Sequence, residues 1–278
     1  MKKVVLLFVM AIFAVSCGND DDSQPEVLGC TDPASENFNP LANTDDGSCT
    51  YTKNVTFNFT QNWDGQSVTF ADFNTTFFTN EFGNVLNISK LRYLISRISL
   101  HKADGSTVDF EEYKLIDLEN PASLTLTPAM MATTGDYTGI SFIYGFNEAD
   151  NRSGAYPDLN DANWNWPEML GGGYHFMQME GIFNDANGTP QVYAYHNGTA
   201  KDSNGVFEQN FISLNFNQNF TITNDATIEI KMNIAEWYKN PYIWDLNIFN
   251  SGLMMNYEAQ KHMNENGPTV FSIGSITQ

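Results

Sequence analysis

Short runs in which apolar and polar residues alternate recur along most of this chain, and they restrict its fold more than any other feature. The alternation is clearest over residues 227–234, where an extended chain would have one apolar and one polar face. Clusters of Asn, Asp, Gly and Pro separate the runs, and helical patterning is scarce, with residues 253–264 as one predicted helix. We therefore predict an all-β domain over residues 54–278, an antiparallel β-sandwich with few short helices.

The stretch from residue 163 to residue 181 combines features that the other runs lack. Two tryptophans are followed by three glycines, which permit positive φ, and then by an apolar and aromatic run that is typical of a buried strand. His175, Met177 and Met179 alternate, so a regular strand places them on one face. Imidazole and thioether groups suit a soft metal ion, but the same side chains also serve as ordinary core packing.

Three motifs occur in the order and spacing of a known family. The first comprises Trp164, Trp166, Gly173, Tyr174, Glu180 and Gly181, followed by Tyr195-His196-Asn197-Gly198. The second is residues 92–100 and the third is residues 145–150. Together they resemble the MbnP-like copper-binding family over about residues 54–273. The resemblance implies a β-sandwich of the periplasmic type that is associated with methanobactin uptake and copper handling.

The resemblance also indicates where copper would bind. Members of the family use two histidines, and the matching positions here are Ser96 and Glu148, so we expect a weakened or altered copper site. In some members a diheme partner, MbnH, oxidises a tryptophan to kynurenine, but no tryptophan lies near Ser96 in the sequence. The implied partners are a diheme MbnH-like protein or a TonB-dependent receptor.

Three histidines are alternative metal ligands: His101, His175 and His196. On a regular strand His101 would lie on the face opposite to Ser96, although a bulge would change this. Glu148 together with His101 or His175 would supply the nitrogen and oxygen donors that a divalent ion accepts. His196 matches a family position that could equally be structural.

Charge and missing motifs narrow the class of function. Lys and Arg total 13 against 33 Asp and Glu, so the net charge of −20 argues against nucleic-acid binding. The sequence has no glycine-rich phosphate loop, G-x-S-x-G elbow or H-E-x-x-H pair, and we predict no enzyme activity. The alternative to copper binding is a surface-exposed adhesion module that contacts glycan or protein through exposed aromatics such as Trp63, Tyr156 or Trp164.

The N-terminus predicts export. Residues 1–16 form a signal peptide with a basic start and an apolar run too short to cross a bilayer. They end in a sequence that resembles a bacterial lipobox, so we expect a lipid on Cys17 and a flexible acidic linker over residues 17–28. The acidic run after Cys17 resembles the surface-export signal of Bacteroidetes lipoproteins. This implies an outer-membrane lipoprotein at the cell surface, with a periplasm-facing anchor as the alternative.

Residues 29–51 resemble a short module of Bacteroidetes surface proteins, akin to thrombospondin type 3 repeats. With Cys17 assigned to a lipid, Cys30 and Cys49 are left to form a disulfide in an exported protein. The oxygen donors that suit calcium are Asp32, Asn37, Asn39, Asn43, Asp45 and Asp46. Such residues also build turns, so calcium binding and turn formation are both open.

Overall fold

A computed structural model describes residues 24–278 of the chain. The predicted signal peptide, Cys17 and the first part of the acidic linker therefore lie outside the described residues. The chain divides into two compact units, one ending at Cys49 and the other covering Thr50–Gln278. None of the described helices has the length and apolar character that crossing a membrane requires.

The first unit contains Cys30 and Cys49, which are joined by a disulfide with Cα atoms 4.8 Å apart. Side-chain oxygens in this unit accept hydrogen bonds from backbone N–H groups two residues ahead, as in turns, and these residues are Asp32, Asn39, Asp45 and Asp46. The Asn43 side chain accepts from the Val27 N–H in the same way, across a longer separation. Turn formation therefore engages most of the predicted calcium donors, and calcium binding stays a prediction.

Strands are the main regular secondary structure of the second unit. In chain order the strands of the whole structure are β1 Leu28–Gly29, β2 Thr44–Asp45, β3 Thr52–Lys53, β4 Val55–Trp63, β5 Gln66–Ser67, β6 Phe77–Thr79, β7 Val85–Asn87, β8 Lys90–Lys102, β9 Thr107–Asp117, β10 Thr125–Leu126, β11 Ala132–Thr133, β12 Gly135–Tyr144, β13 Met177–Asn184, β14 Pro190–Asn197, β15 Ala200–Lys201, β16 Phe207–Glu208, β17 Ile212–Ile222, β18 Ala226–Asn233 and β19 Phe271–Thr277. The α-helices are α1 Pro157–Asp161 and α2 Tyr257–Asn266, and the 3-10 helices are Phe70–Asp72, Pro121–Leu124, Glu168–Leu170, Ile234–Tyr238, Leu253–Met255 and Gly267–Thr269.

The strands form two main sheets. The larger sheet runs β17-β12-β8-β13-β7-β6, with β9 also paired to β8 and β14 also paired to β13. The smaller sheet runs β10-β4-β18-β19, with β5 also paired to β4. Pairing within both sheets is antiparallel except between β4 and β18, which are parallel. The predicted all-β sandwich is confirmed.

Aromatic side chains from the two sheets meet in the core. Phe271 of the smaller sheet contacts the rings of Phe142 and Tyr144 of the larger sheet, with centroids 5.6 and 5.8 Å apart. The Gln61 side chain, on β4, donates a 2.8 Å hydrogen bond to the hydroxyl of Tyr93, on β8. Because both partners are buried, this bond satisfies polar atoms that water cannot reach.

The predicted helix at residues 253–264 is wrong in its extent. A 3-10 helix ends at Met255, and α2 starts only at Tyr257. Asn256 breaks the pattern because its backbone is extended, with φ −92° and ψ 101°, and its side chain caps α2 by accepting from the Ala259 N–H.

Candidate metal centre

Three glycines shape the loop in the stretch from residue 163 to residue 181. Gly171, Gly172 and Gly173 all have positive φ, at 110°, 66° and 79°, as their sequence predicts. The chain folds back there, so that the Trp166 N–H donates to the Gly173 carbonyl at 2.9 Å. A glycine is also needed at Gly198, since a Cβ there would lie 2.6 Å from the Trp166 ring. The loop and the end of β14 thus close around Trp166.

His175 lies at the centre of this arrangement and is only 6% exposed. Its ring meets the rings of Trp166 and His196 edge to face, with centroids 4.9 and 5.3 Å away. Its Nδ1 lies 3.1 Å from the Trp164 carbonyl oxygen, which can only accept, so Nδ1 carries the proton and Nε2 keeps its lone pair. Burial lowers the pKa of His175 to about 4, and the nearby charges of His196 and Arg92 act in the same direction.

The predicted common face of His175, Met177 and Met179 is wrong. Met179 pairs with Tyr195 across β13 and β14 and points into the core, where Tyr238 reaches its sulfur. His175 instead contacts His196, whose side chain lies on the opposite face of the hairpin. The reason is that β13 begins only at Met177, so the strand alternation does not extend back to His175.

His196 and Glu180 are hydrogen-bonded to each other on that opposite face, where both side chains are partly buried. His196 Nε2 lies 3.0 Å from Glu180 Oε1, and Lys90 Nζ lies 3.0 Å from the same oxygen. Hydrogen bonding from His196 and the Lys90 ammonium lower the pKa of Glu180 to about 2. Because an ionised carboxylate only accepts, His196 donates through Nε2, and its Nδ1 keeps a lone pair when the ring is neutral.

The hairpin register explains how these residues meet. Gln178 pairs with His196 across β13 and β14, which places Glu180 two residues along on the same face. The sequence identified Glu180 as a motif residue and His196 as a candidate ligand, but it was not used to predict their contact. The short turn between β13 and β14 would have allowed it, because the register of a hairpin can be counted outward from its turn.

The two family ligand positions do not come together as a metal site. Ser96 is buried, and its hydroxyl donates to the Gly145 carbonyl at 2.6 Å, while Glu148 is exposed. Beside them, Arg97 donates two hydrogen bonds to Asp150, from Nε at 2.5 Å and from Nη2 at 3.0 Å. A hydroxyl that is already bonded, next to a fixed guanidinium cation, does not fit a copper ion.

His101 is displaced by a bulge in β8. The pairing of β8 with β9 shifts between Ser96 and Ile98, and Arg97 between them has a φ of 50°. The bulge reverses the alternation, so His101 ends on the same face as Ser96 rather than the opposite one. Its Nε2 lies 2.8 Å from the Ser141 hydroxyl. Within residues 24–278, His101 and Glu148 do not form part of a cluster that could hold a metal ion.

Two of the aromatics predicted to be exposed are buried. Trp63 is 6% exposed and Trp164 is fully buried, because both pack into the core cluster. Arg92 lies over the Trp164 ring, with its Cζ 5.0 Å from the ring centroid. Tyr156 is half-buried and lines an open cavity near Ser96.

No three His, Cys, Asp or Glu side chains within residues 24–278 converge in a way that could hold a metal ion. The nearest approach to such a site among the predicted ligands is the contact of His175 with His196, with Glu180 behind it. A metal ion held there would need donors of another type to complete its shell.

Comparison with known proteins gives one family and one structure. The sequence model of the MbnP family matches residues 52–255. MbnP from Methylosinus trichosporium is a solved structure with 15% sequence identity and a TM-score of 0.46, and the match covers 81% of this chain and 99% of that one. No match is found among curated proteins.

Proposed function

Because this chain belongs to the MbnP family, we propose that it is an exported, non-catalytic lipoprotein that binds copper through His175 and His196. The MbnP family is linked to copper in general. The donors that the family uses are two imidazoles, and this pair supplies two imidazoles at a different place from Ser96 and Glu148.

One observation carries the proposal: each histidine is oriented by an acceptor on its other ring nitrogen. The Trp164 carbonyl accepts from His175 Nδ1, and the Glu180 carboxylate accepts from His196 Nε2. Metal-binding histidines commonly have such a partner, because it fixes the tautomer and makes the free nitrogen a better donor. His175 Nε2 and His196 Nδ1 would therefore be the ligand atoms, and bound copper would be stored or passed on without a reaction step.

Copper titration of the purified, chelator-treated protein tests this proposal. We expect stoichiometric binding by the wild type, a large loss on His196→Ala, and a loss of about 10- to 100-fold in affinity on Glu180→Gln, since an outer partner of a ligand typically contributes that much. Ser96→Ala and Glu148→Gln serve as controls and should bind like the wild type.

The proposal would be wrong if the wild type bound no copper, or if the Ser96 and Glu148 variants lost binding while His196→Ala kept it. Circular dichroism of each variant shows whether a loss reflects unfolding.

We propose the cellular location and the partner from the N-terminal sequence and the family. A lipid on Cys17 would anchor the protein to the outer membrane, at the cell surface or facing the periplasm, and the linker would separate the anchor from the folded units. A diheme MbnH-like protein or a TonB-dependent receptor would be the partner that delivers or receives copper. The absence of common catalytic motifs from the sequence supports a non-catalytic role.

A second candidate function is adhesion without metal, and one cavity supports it. The cavity measures about 770 Å³ and is lined by the rings of Tyr113, Phe146 and Tyr156 beside the Arg97–Asp150 pair. Aromatic faces next to charged groups are typical of sites for polar ligands such as glycans. Tyr156→Ala should then abolish glycan binding on an array and leave copper binding unchanged, and no glycan bound by the wild type would argue against this function.

A further inference from the structure

A methionine-lined groove lies beside His196. It measures about 270 Å³, and His196 shares its wall with Met169, Met254 and Met255. The rest of the lining is mostly apolar, with Leu170 and Leu253 among the contributors. We define these three methionines and His196 as the methionine groove.

Two short 3-10 helices bring the methionines to the groove from distant parts of the chain. Met169 lies in the 3-10 helix of the tryptophan loop, whose turn is closed by Gly171 with a positive φ. Met254 and Met255 lie in the 3-10 helix that starts after Gly252, also with a positive φ. About 85 residues separate the two segments in the sequence. Because periodicity reports only local structure, the sequence did not predict that the methionines line one groove.

The exposure of these methionines is unusual for their type. Met169 is 67% exposed and Met255 is 70% exposed, whereas Met177, Met179 and Met232 are fully buried. Packing does not hold the first two in place, so filling the core is not their role. Both residues line an apolar groove.

His196 lines the same groove, and one of its ring nitrogens is held from behind. Its Nε2 is held by Glu180 at 3.0 Å, and Glu180 is held in turn by two contacts with Lys90, at 3.0 and 3.1 Å. Within the described residues the Nδ1 of His196 makes no hydrogen bond, so the neutral ring has a free lone pair there. A carboxylate behind a histidine, with soft donors in front of it, is the arrangement of a metal ligand with its outer partner.

The donor chemistry selects the ion. Thioether sulfur is a soft donor that favours Cu(I), while Ca²⁺, Mg²⁺ and Mn²⁺ require oxygen donors. No carboxylate lines the methionine groove, and its other walls are apolar. A monovalent ion also carries less charge into this apolar setting than a divalent one, so its desolvation costs less.

We infer that the copper ion held by His175 Nε2 and His196 Nδ1 is Cu(I), and that thioether sulfurs of the methionine groove complete its shell. This inference rests on the proposed function, because it assigns the oxidation state and the additional donors of the copper at His196.

Cu(I) titration against a competing chelator under anaerobic conditions tests the inference, together with the copper X-ray absorption spectrum. The variant is the triple replacement Met169→Leu, Met254→Leu and Met255→Leu, which keeps the apolar volume. The matched control is Met130→Leu with Met131→Leu, two methionines that are 50% and 44% exposed elsewhere on the chain. We expect the triple variant to lose at least about tenfold in Cu(I) affinity, as even outer partners of a ligand contribute that much.

The wild-type spectrum should contain a sulfur shell that the triple variant lacks, while the control keeps it. Two results would overturn the methionine ligands: a wild-type spectrum with only nitrogen and oxygen neighbours, or equal Cu(I) affinity in the wild type and the triple variant. Either result would still be compatible with copper binding by the histidines. No Cu(I) binding by the wild type would overturn this inference and the proposed function together.

Discussion

Replacing Gly181 with alanine is expected to lower the free energy of unfolding by about 3 kcal/mol or more. Gly181 lies in β13, and a Cβ there would be 2.1 Å from the backbone oxygen of Asn87 and 2.7 Å from the Tyr193 ring. The same oxygen accepts a 2.9 Å hydrogen bond from the Tyr193 hydroxyl. An alanine would push the end of β7 away from β13 and break that buried bond, so steric strain and an unsatisfied polar group add together.

Urea unfolding followed by tryptophan fluorescence measures this effect. Ile182→Ala is the matched control, because Ile182 is the next residue in the same strand and is 39% exposed. It should change the free energy of unfolding by less than about 1 kcal/mol. A similarly small change for Gly181→Ala would contradict the packing of β7 on β13.

Acidification of the metal-free protein from about pH 6.5 to about pH 4 is expected to remove on the order of 3 kcal/mol of stability through His175 alone. The pKa of His175 is lowered to about 4 in the folded protein, mainly by burial and further by the charges of His196 and Arg92. In this pH range the unfolded chain binds a proton that the folded chain excludes, so stability is complete above pH 6.5 and declines as the pH falls.

The test compares wild type with His175→Gln by urea unfolding at several pH values, in the presence of a chelator. Glutamine keeps a donor for the Trp164 carbonyl but cannot titrate. The difference in stability between the two proteins should therefore shrink between pH 6.5 and pH 4. If the free energy of unfolding changed with pH in the same way for both proteins, the lowered pKa of His175 in the folded protein would be contradicted.

The sequence was sufficient for the fold because the sandwich depends on local patterns. Alternation along residues 227–234 predicts a strand with one buried face, and β18, at Ala226–Asn233, has that pattern. The glycines at 171–173 predicted positive φ, and all three have it. These features depend on backbone geometry and burial, which short stretches of sequence encode directly.

The candidate metal centre was predictable only in part, because it depends on contacts between distant residues. His175 and His196 were both recognised as possible ligands, but their contact results from a loop that folds back and from the register of a hairpin. The bulge at Arg97, which turns His101 to the face of Ser96, has no signature in residue type. Trp164 could not be placed either, since a buried indole and an exposed one look the same in a sequence.

A crystal structure of the Cu(I)-loaded protein, with data collected at the copper absorption edge, would show where copper binds. We expect an anomalous peak beside His196, within reach of His175 and the methionine groove, and no peak between Ser96 and Glu148. A peak at Ser96 and Glu148 would contradict this expectation, and so would a fully loaded crystal in which His196 has no copper neighbour.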